Sequence, residues 1–175
     1  MSSNYAWDTA FRNLYDRCLE RFRGGDADFE GYYSQEDLSF LRGIGCKPRE
    51  FFDYVEDLVD FGDPCAESAL LIAAVRRDYL AVVQDSSLSD HEIQEPELPG
   101  KENELGGCPW LPRLIAKAVG KLSGELDPDI MYGCGGDREF LCECDIHPAD
   151  FLRAVWAADG DEAKVLEFVK ERSGG

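Results

Sequence analysis

Apolar residues near the start of the chain recur at three- and four-residue steps: Trp7, Phe11, Leu14, Tyr15, Cys18, Leu19 and Phe22. That spacing places them on one face of a helix, which the Gly24-Gly25 pair closes. Ser34 to Asp37 reads as a capping box that opens a short helix through Phe40 and Leu41, ending near Gly43-Ile44-Gly45. Pro48 suits the first position of a further helix carrying Phe51, Phe52, Val55, Leu58 and Val59. Asp63-Pro64 opens a fourth, running through Leu70, Leu71, Ala74 and Val75 and as far as Val83. In the second half, Leu111, Leu114, Ile115, Ala118 and Leu122 mark a helix face ending at Gly124. A short helix from about Asp137 to Cys144 follows, then one opening at Pro148 with Phe151, Leu152 and Val155, and a last one from about Asp161 through Val165, Leu166, Phe168 and Val169.

The two series run in the same order, and a shift of 100 residues aligns them without a gap. Leu14 then pairs with Leu114, Gly24 with Gly124, Tyr32 with Tyr132, Asp37 with Asp137, Phe40 with Phe140, Leu41 with Leu141, Pro48 with Pro148, Phe51 with Phe151 and Val55 with Val155. The identities fall on caps, turns and apolar faces, the positions that specify structure. Together these patterns predict an all-α protein of about eight helices in two related helical bundles built from an internal repeat. The expected divisions are 1–83 and 108–175 for the two repeats. Between them, residues 84–107 hold seven acidic residues and one basic residue among Ser, Pro and Gly, which reads as an extended or disordered polar linker.

Charge narrows the choice of partners. The net charge is -18, from 36 acidic and 18 basic residues, which opposes association with nucleic acid or anionic lipid. A protein or a small molecule is the expected partner. The longest apolar stretch, Ala69 to Val75, falls far short of the ~20 residues of a membrane helix. The start of the chain carries no secretory pattern, so the seven cysteines are expected as reduced thiols in the cytoplasm.

Cys134, Cys142, Cys144 and His147 superficially suggest zinc, but no Cys-x-x-Cys pair is present. The repeat aligns Cys144 with Ile44, Cys142 with Arg42 and His147 with Lys47, so no metal site is expected, and nothing in the chain calls for a cofactor. Cys134 differs. It aligns with the proposed cap Ser34, where a thiol faces the unpaired N–H groups of a helix start, beside Asp137. Arg17 and Arg21, and in the second half Arg113, Lys117 and Lys121, form basic stripes at four-residue spacing. Pairing with carboxylates is the expected outcome for them; convergence on one small anion is the alternative. With no nucleophile elbow and only two histidines, the leading expectation is a non-catalytic interaction or adaptor module whose helical grooves accept a partner. The alternatives are a thiol-dependent enzyme or redox sensor using Cys134, or a small-anion binding protein using the stripes.

The second half also carries an ordered motif: Leu105-Gly106-Gly107, Leu111-Pro112-Arg113, Lys117, Leu122, Gly124, Tyr132-x-Cys134-x-x-Asp137, Phe140-Leu141, Ile146, Phe151-Leu152, Val155 and Val165-Leu166. Over about residues 105–171 it resembles a bacterial domain-of-unknown-function family, number five thousand and sixty-nine in that series. The resemblance implies a small helical bacterial protein and supplies no activity. Its pattern includes the positions held here by Arg113, Lys117, Cys134 and Asp137, with Gly135 standing where that family usually has Pro.

Overall fold

A computed structural model describes residues 4–174. Eight α-helices appear among them: α1 Trp7–Arg23, α2 Gln35–Gly43, α3 Pro48–Phe61, α4 Ala66–Val82, α5 Leu111–Ser123, α6 Gly135–Glu143, α7 Pro148–Ala158 and α8 Glu162–Arg172. Among the described residues the fold is all-α, apart from a small hairpin of two two-residue strands, β1 Glu104–Leu105 against β2 Cys108–Pro109, and an isolated bridge. None of the described helices is long and apolar enough to cross a membrane.

Local chemistry explains the boundaries. Ser34 Oγ accepts from Asp37 N while the Asp37 carboxylate accepts from Ser34 N, closing the capping box that starts α2. Pro48 and Pro148 both occupy the first turn of their helices, where a missing N–H costs nothing. α2 and α6 begin and end at positions related by the same shift of 100. Of the residues identical between the halves, Leu14 and Leu114, Leu41 and Leu141, Phe51 and Phe151, and Val55 and Val155 are all buried in the core. One bond changes hands. Tyr132 Oη donates to the Pro148 carbonyl at 2.8 Å, whereas in the first half that bond comes from Tyr33 to the Pro48 carbonyl, also at 2.8 Å.

The two halves share one continuous core. α1 packs on α3, α5 on α7 and α7 on α8, but α4 packs on α5 and α7 as well as on α1. Its buried residues, Ala69, Ile72, Ala73, Val75, Arg76 and Leu80, wrap around the helix, as expected of a helix covered on more than one side. Arg76 completes the junction. The dipole of its own helix does not account for it, because α4 runs on to Val82. Instead the fully buried guanidinium donates to Gly45 O at 3.1 Å, just beyond α2, and to Leu122 O at 2.6 Å, in the last turn of α5. Carbonyls left unpaired at helix ends attract a cation. Burial nevertheless pulls Arg76 down to about 10 from its ordinary 12.5. Gly45 and Gly124 both adopt positive φ, and a Cβ on either would lie within 3 Å of that guanidinium, so the two turns are moulded to it.

Residues 84–107 run through turns, a short 3-10 helix at Glu95–Glu97 and the β1 strand, and they are not a free linker. Gln84 accepts from Arg76 and donates to Ser123 O. Ile93 forms a parallel bridge with Leu126, Leu98 is buried, and Pro99 O accepts from Arg113. The acidic composition masks these anchors: Ile93, Leu98 and the single cation that grips the segment from α5.

Burial also sets a pH dependence on α3. Asp53 is held at about 7 instead of 3.8, chiefly by burial and against the opposing pull of Arg49; Glu56, Asp57 and Asp129 add to the rise. The folded state therefore holds its proton more tightly than the unfolded chain does, and stability contributed by neutral Asp53 is lost as pH rises from about 4 to about 7. Asp53→Asn is expected to flatten that part of the stability profile, measured by urea unfolding at several pH values. A variant whose profile keeps the wild-type slope between those limits contradicts this.

Candidate functional site

The stripe on α5 does not face solvent. Arg113, Lys117 and Lys121, one helical turn apart, are each buried, because the 84–107 segment covers one end and α3 covers the other. Arg113 pairs with Glu95 at 2.5 Å. Lys121 reaches into the first half, pairing with Glu50 and donating to Tyr54 Oη at 3.1 Å. Burial draws the Lys121 ammonium down to about 8. The first-half stripe, by contrast, is exposed: Arg17 pairs with Asp37 at 2.7 Å and Arg21 with Asp26 at 2.5 Å. Every one of these five cations has a carboxylate partner. The stripes therefore present no set of unpaired charges to a small anion.

Lys117 sits in a different kind of group. Its Nζ lies 2.5 Å from Asp137 Oδ2 and 3.2 Å from Cys134 Sγ, to which it donates. Asp137 is fully buried and Lys117 nearly so. The same carboxylate accepts from Gly133 N at 2.9 Å and from Trp110 Nε1 at 2.9 Å. Two charge-assisted bonds and one to the ammonium fix it in place. Trp110, just before α5, adopts φ 71, a left-handed conformation uncommon for a bulky residue. Its indole lies so close to Gly136 that a Cβ there would be 2.5 Å from Cζ2. The strained turn, the glycine and the carboxylate together lock the indole over the start of α6.

The repeat isolates what is special here. Arg17, Asp37 and Ser34 occupy the positions of Lys117, Asp137 and Cys134. In the first half the hydroxyl caps its helix and the arginine side chain is 55% exposed. In the second half Cys134 is the residue before α6, yet its side chain makes no capping bond, and its thiol meets the buried ammonium instead. The thiol is half-buried and flanked by exposed Gly135. It differs in placement from Cys18 and Cys46, which are buried and pack as core.

His147 is accounted for elsewhere. Its Nδ1 accepts from Ala149 N at 3.1 Å, capping α7, so its Nε2 carries the proton and donates to Ser68 Oγ at 3.2 Å. That tautomer cannot take a proton from Ser68, so this pair is not a serine nucleophile with its base. Cys142 is exposed and Cys144 half-buried. No group of three or more His, Cys, Asp or Glu among the described residues is arranged to hold a metal ion.

The sequence sets Cys134 beside Asp137 at a helix start and Lys117 on the α5 stripe, but does not show the Lys117 ammonium meeting the thiol. The signal that joins them is the repeat, since Arg17, Ser34 and Asp37 form the matching triplet. Trp110 was invisible as a member, because an aromatic residue at positive φ runs against its propensity. Comparisons with protein-family models, curated proteins and solved structures return no match to this chain.

Proposed function

We propose that this protein acts through the thiol of Cys134, as a small helical thiol-dependent sensor of electrophiles or oxidants, with Lys117 and Asp137 positioning the reacting sulfur. The observation that carries this reading is the 3.2 Å contact from the buried Lys117 ammonium to Cys134 Sγ. A cation held there offsets negative charge on sulfur as it attacks, in surroundings where charge interactions are less screened than in water. Asp137 keeps the cation in place, and Trp110 and Gly133 keep Asp137 in place. Lys117, Cys134 and Asp137 are also three of the four positions that the resemblance brings forward, although it supplies no activity of its own.

Limited alkylation of the native protein with iodoacetamide, read residue by residue by peptide mass spectrometry, tests the proposal. The thiol displaces iodide, and Cys134 is expected to be modified ahead of the more exposed Cys142 and Cys65. Modification of Cys134 no faster than Cys142 rejects the thiol reading and returns the interaction module to first place.

A further inference from the structure

Resting on that site but going beyond it, we infer that Cys134 and Lys117 form a covalent nitrogen–oxygen–sulfur bridge when the protein is oxidised. The usual outcome of thiol oxidation is a disulfide, or a climb to sulfinic and sulfonic acids. Cys134 has a different neighbour. The atom donating to its sulfur is a lysine nitrogen at 3.2 Å, and both ends are held: Lys117 by Asp137 and Cys134 by the start of α6. A single oxygen atom inserted between sulfur and nitrogen spans that gap with little movement of either chain. Nothing comparable exists in the first half, where Arg17 and Ser34 take the two positions.

The balance closes with dioxygen as the oxidant. The S–H bond and N–H bonds of Lys117 break, and S–O and O–N bonds form around one oxygen atom. The second oxygen atom leaves as water with two of the hydrogens, and Asp137 takes the remaining proton of the ammonium. Sulfur and nitrogen each lose two electrons, and these four reduce one dioxygen molecule. The reverse step needs the same four electrons, from two equivalents of a dithiol reductant that are oxidised to disulfides while the oxygen leaves as water and thiol and amine are regenerated. The bridge neutralises Lys117, so oxidation breaks a buried ion pair and couples the state of sulfur to the packing between α5 and α6.

The experiment uses the full chain, reduced, desalted and exposed to air-saturated or oxygen-free buffer. Intact mass and peptide mapping then follow, with and without dithiothreitol. The expected product in air is a crosslink between the Lys117 and Cys134 peptides that gains one oxygen, loses two hydrogens and disappears with reductant. It is expected to be absent from Cys134→Ser and from Lys117→Arg. Wild-type protein that accumulates sulfinic acid or a disulfide at Cys134, with Lys117 unmodified, overturns the bridge. That result leaves the thiol reading to be decided by the alkylation ranking alone, so the two can fail separately.

Discussion

Asp137→Ala is expected to destabilise the fold by roughly 3–5 kcal/mol, the usual loss when one partner of a buried ion pair is removed. Asp137 is fully buried and the Lys117 side chain is 3% exposed, so water cannot replace the missing carboxylate. The deletion also orphans Trp110 Nε1 and Gly133 N, both of which donate to it. The repeat supplies the control. Asp37→Ala breaks the equivalent pair in the first half, where Arg17 is largely exposed, and removes half of a capping box. That loss is expected to be about 1 kcal/mol, the typical worth of a cap plus a solvated ion pair. Urea unfolding of the two variants measures both. Equal losses would mean that the buried group is no more constrained than its exposed counterpart.

Arg76→Met is expected to cost about 3 kcal/mol or more, even though replacing a buried charge by an apolar chain of similar length is often harmless. Two buried acceptors, Gly45 O and Leu122 O, and the part-buried Gln84 Oε1 depend on Arg76. The two buried carbonyls lose this donor, at about 1–3 kcal/mol for each buried unsatisfied group. Arg76→Lys keeps the charge but not the fork, so it is expected to fall between wild type and Met. Gly124→Ala approaches the same defect from the other side, because its Cβ would meet Arg76 Nη2 at 2.5 Å and its φ is 75. A methionine variant as stable as wild type in urea unfolding would show that α4 is held by apolar packing alone.

Much of the architecture was legible because the positions that fix it are local. Ser34 with Asp37, Pro48 and Pro148, and the periodic Leu and Phe residues each act within a turn or two of themselves, so periodicity and capping chemistry expose them. What was not legible depends on contacts across the chain. Ile93 and Leu98 look like isolated apolar residues in an acidic stretch, and the sequence does not show that Ile93 pairs with Leu126 beside Gly120 or that Leu98 is buried. The role of Arg76 follows only from the fold, which brings the carbonyls of Gly45 and Leu122 into its reach. At the site, the four-residue spacing of Arg113, Lys117 and Lys121 was visible, but spacing does not say whether a stripe faces water or protein. Cys134 could be set beside Ser34 by alignment, and that comparison pointed to a thiol at a helix start. Its ammonium neighbour comes from α5, 17 residues earlier, and follows only from how α5 and α6 pack.

The most direct test of the role assigned to Lys117 is the alkylation rate of Cys134 in wild type and in Lys117→Met/Asp137→Asn, with Cys142 of the same molecule as the internal reference. Asn can still accept from Trp110 or Gly133, and Met fills the path of the lysine stem, so the double variant removes the charges while preserving the packing. If the ammonium supports the reacting sulfur, the Cys134 to Cys142 rate ratio falls on the order of 10-fold, the effect of losing one charge-assisted hydrogen bond. An unchanged ratio in a folded double variant would contradict the proposal that Lys117 makes Cys134 the reactive thiol of this protein.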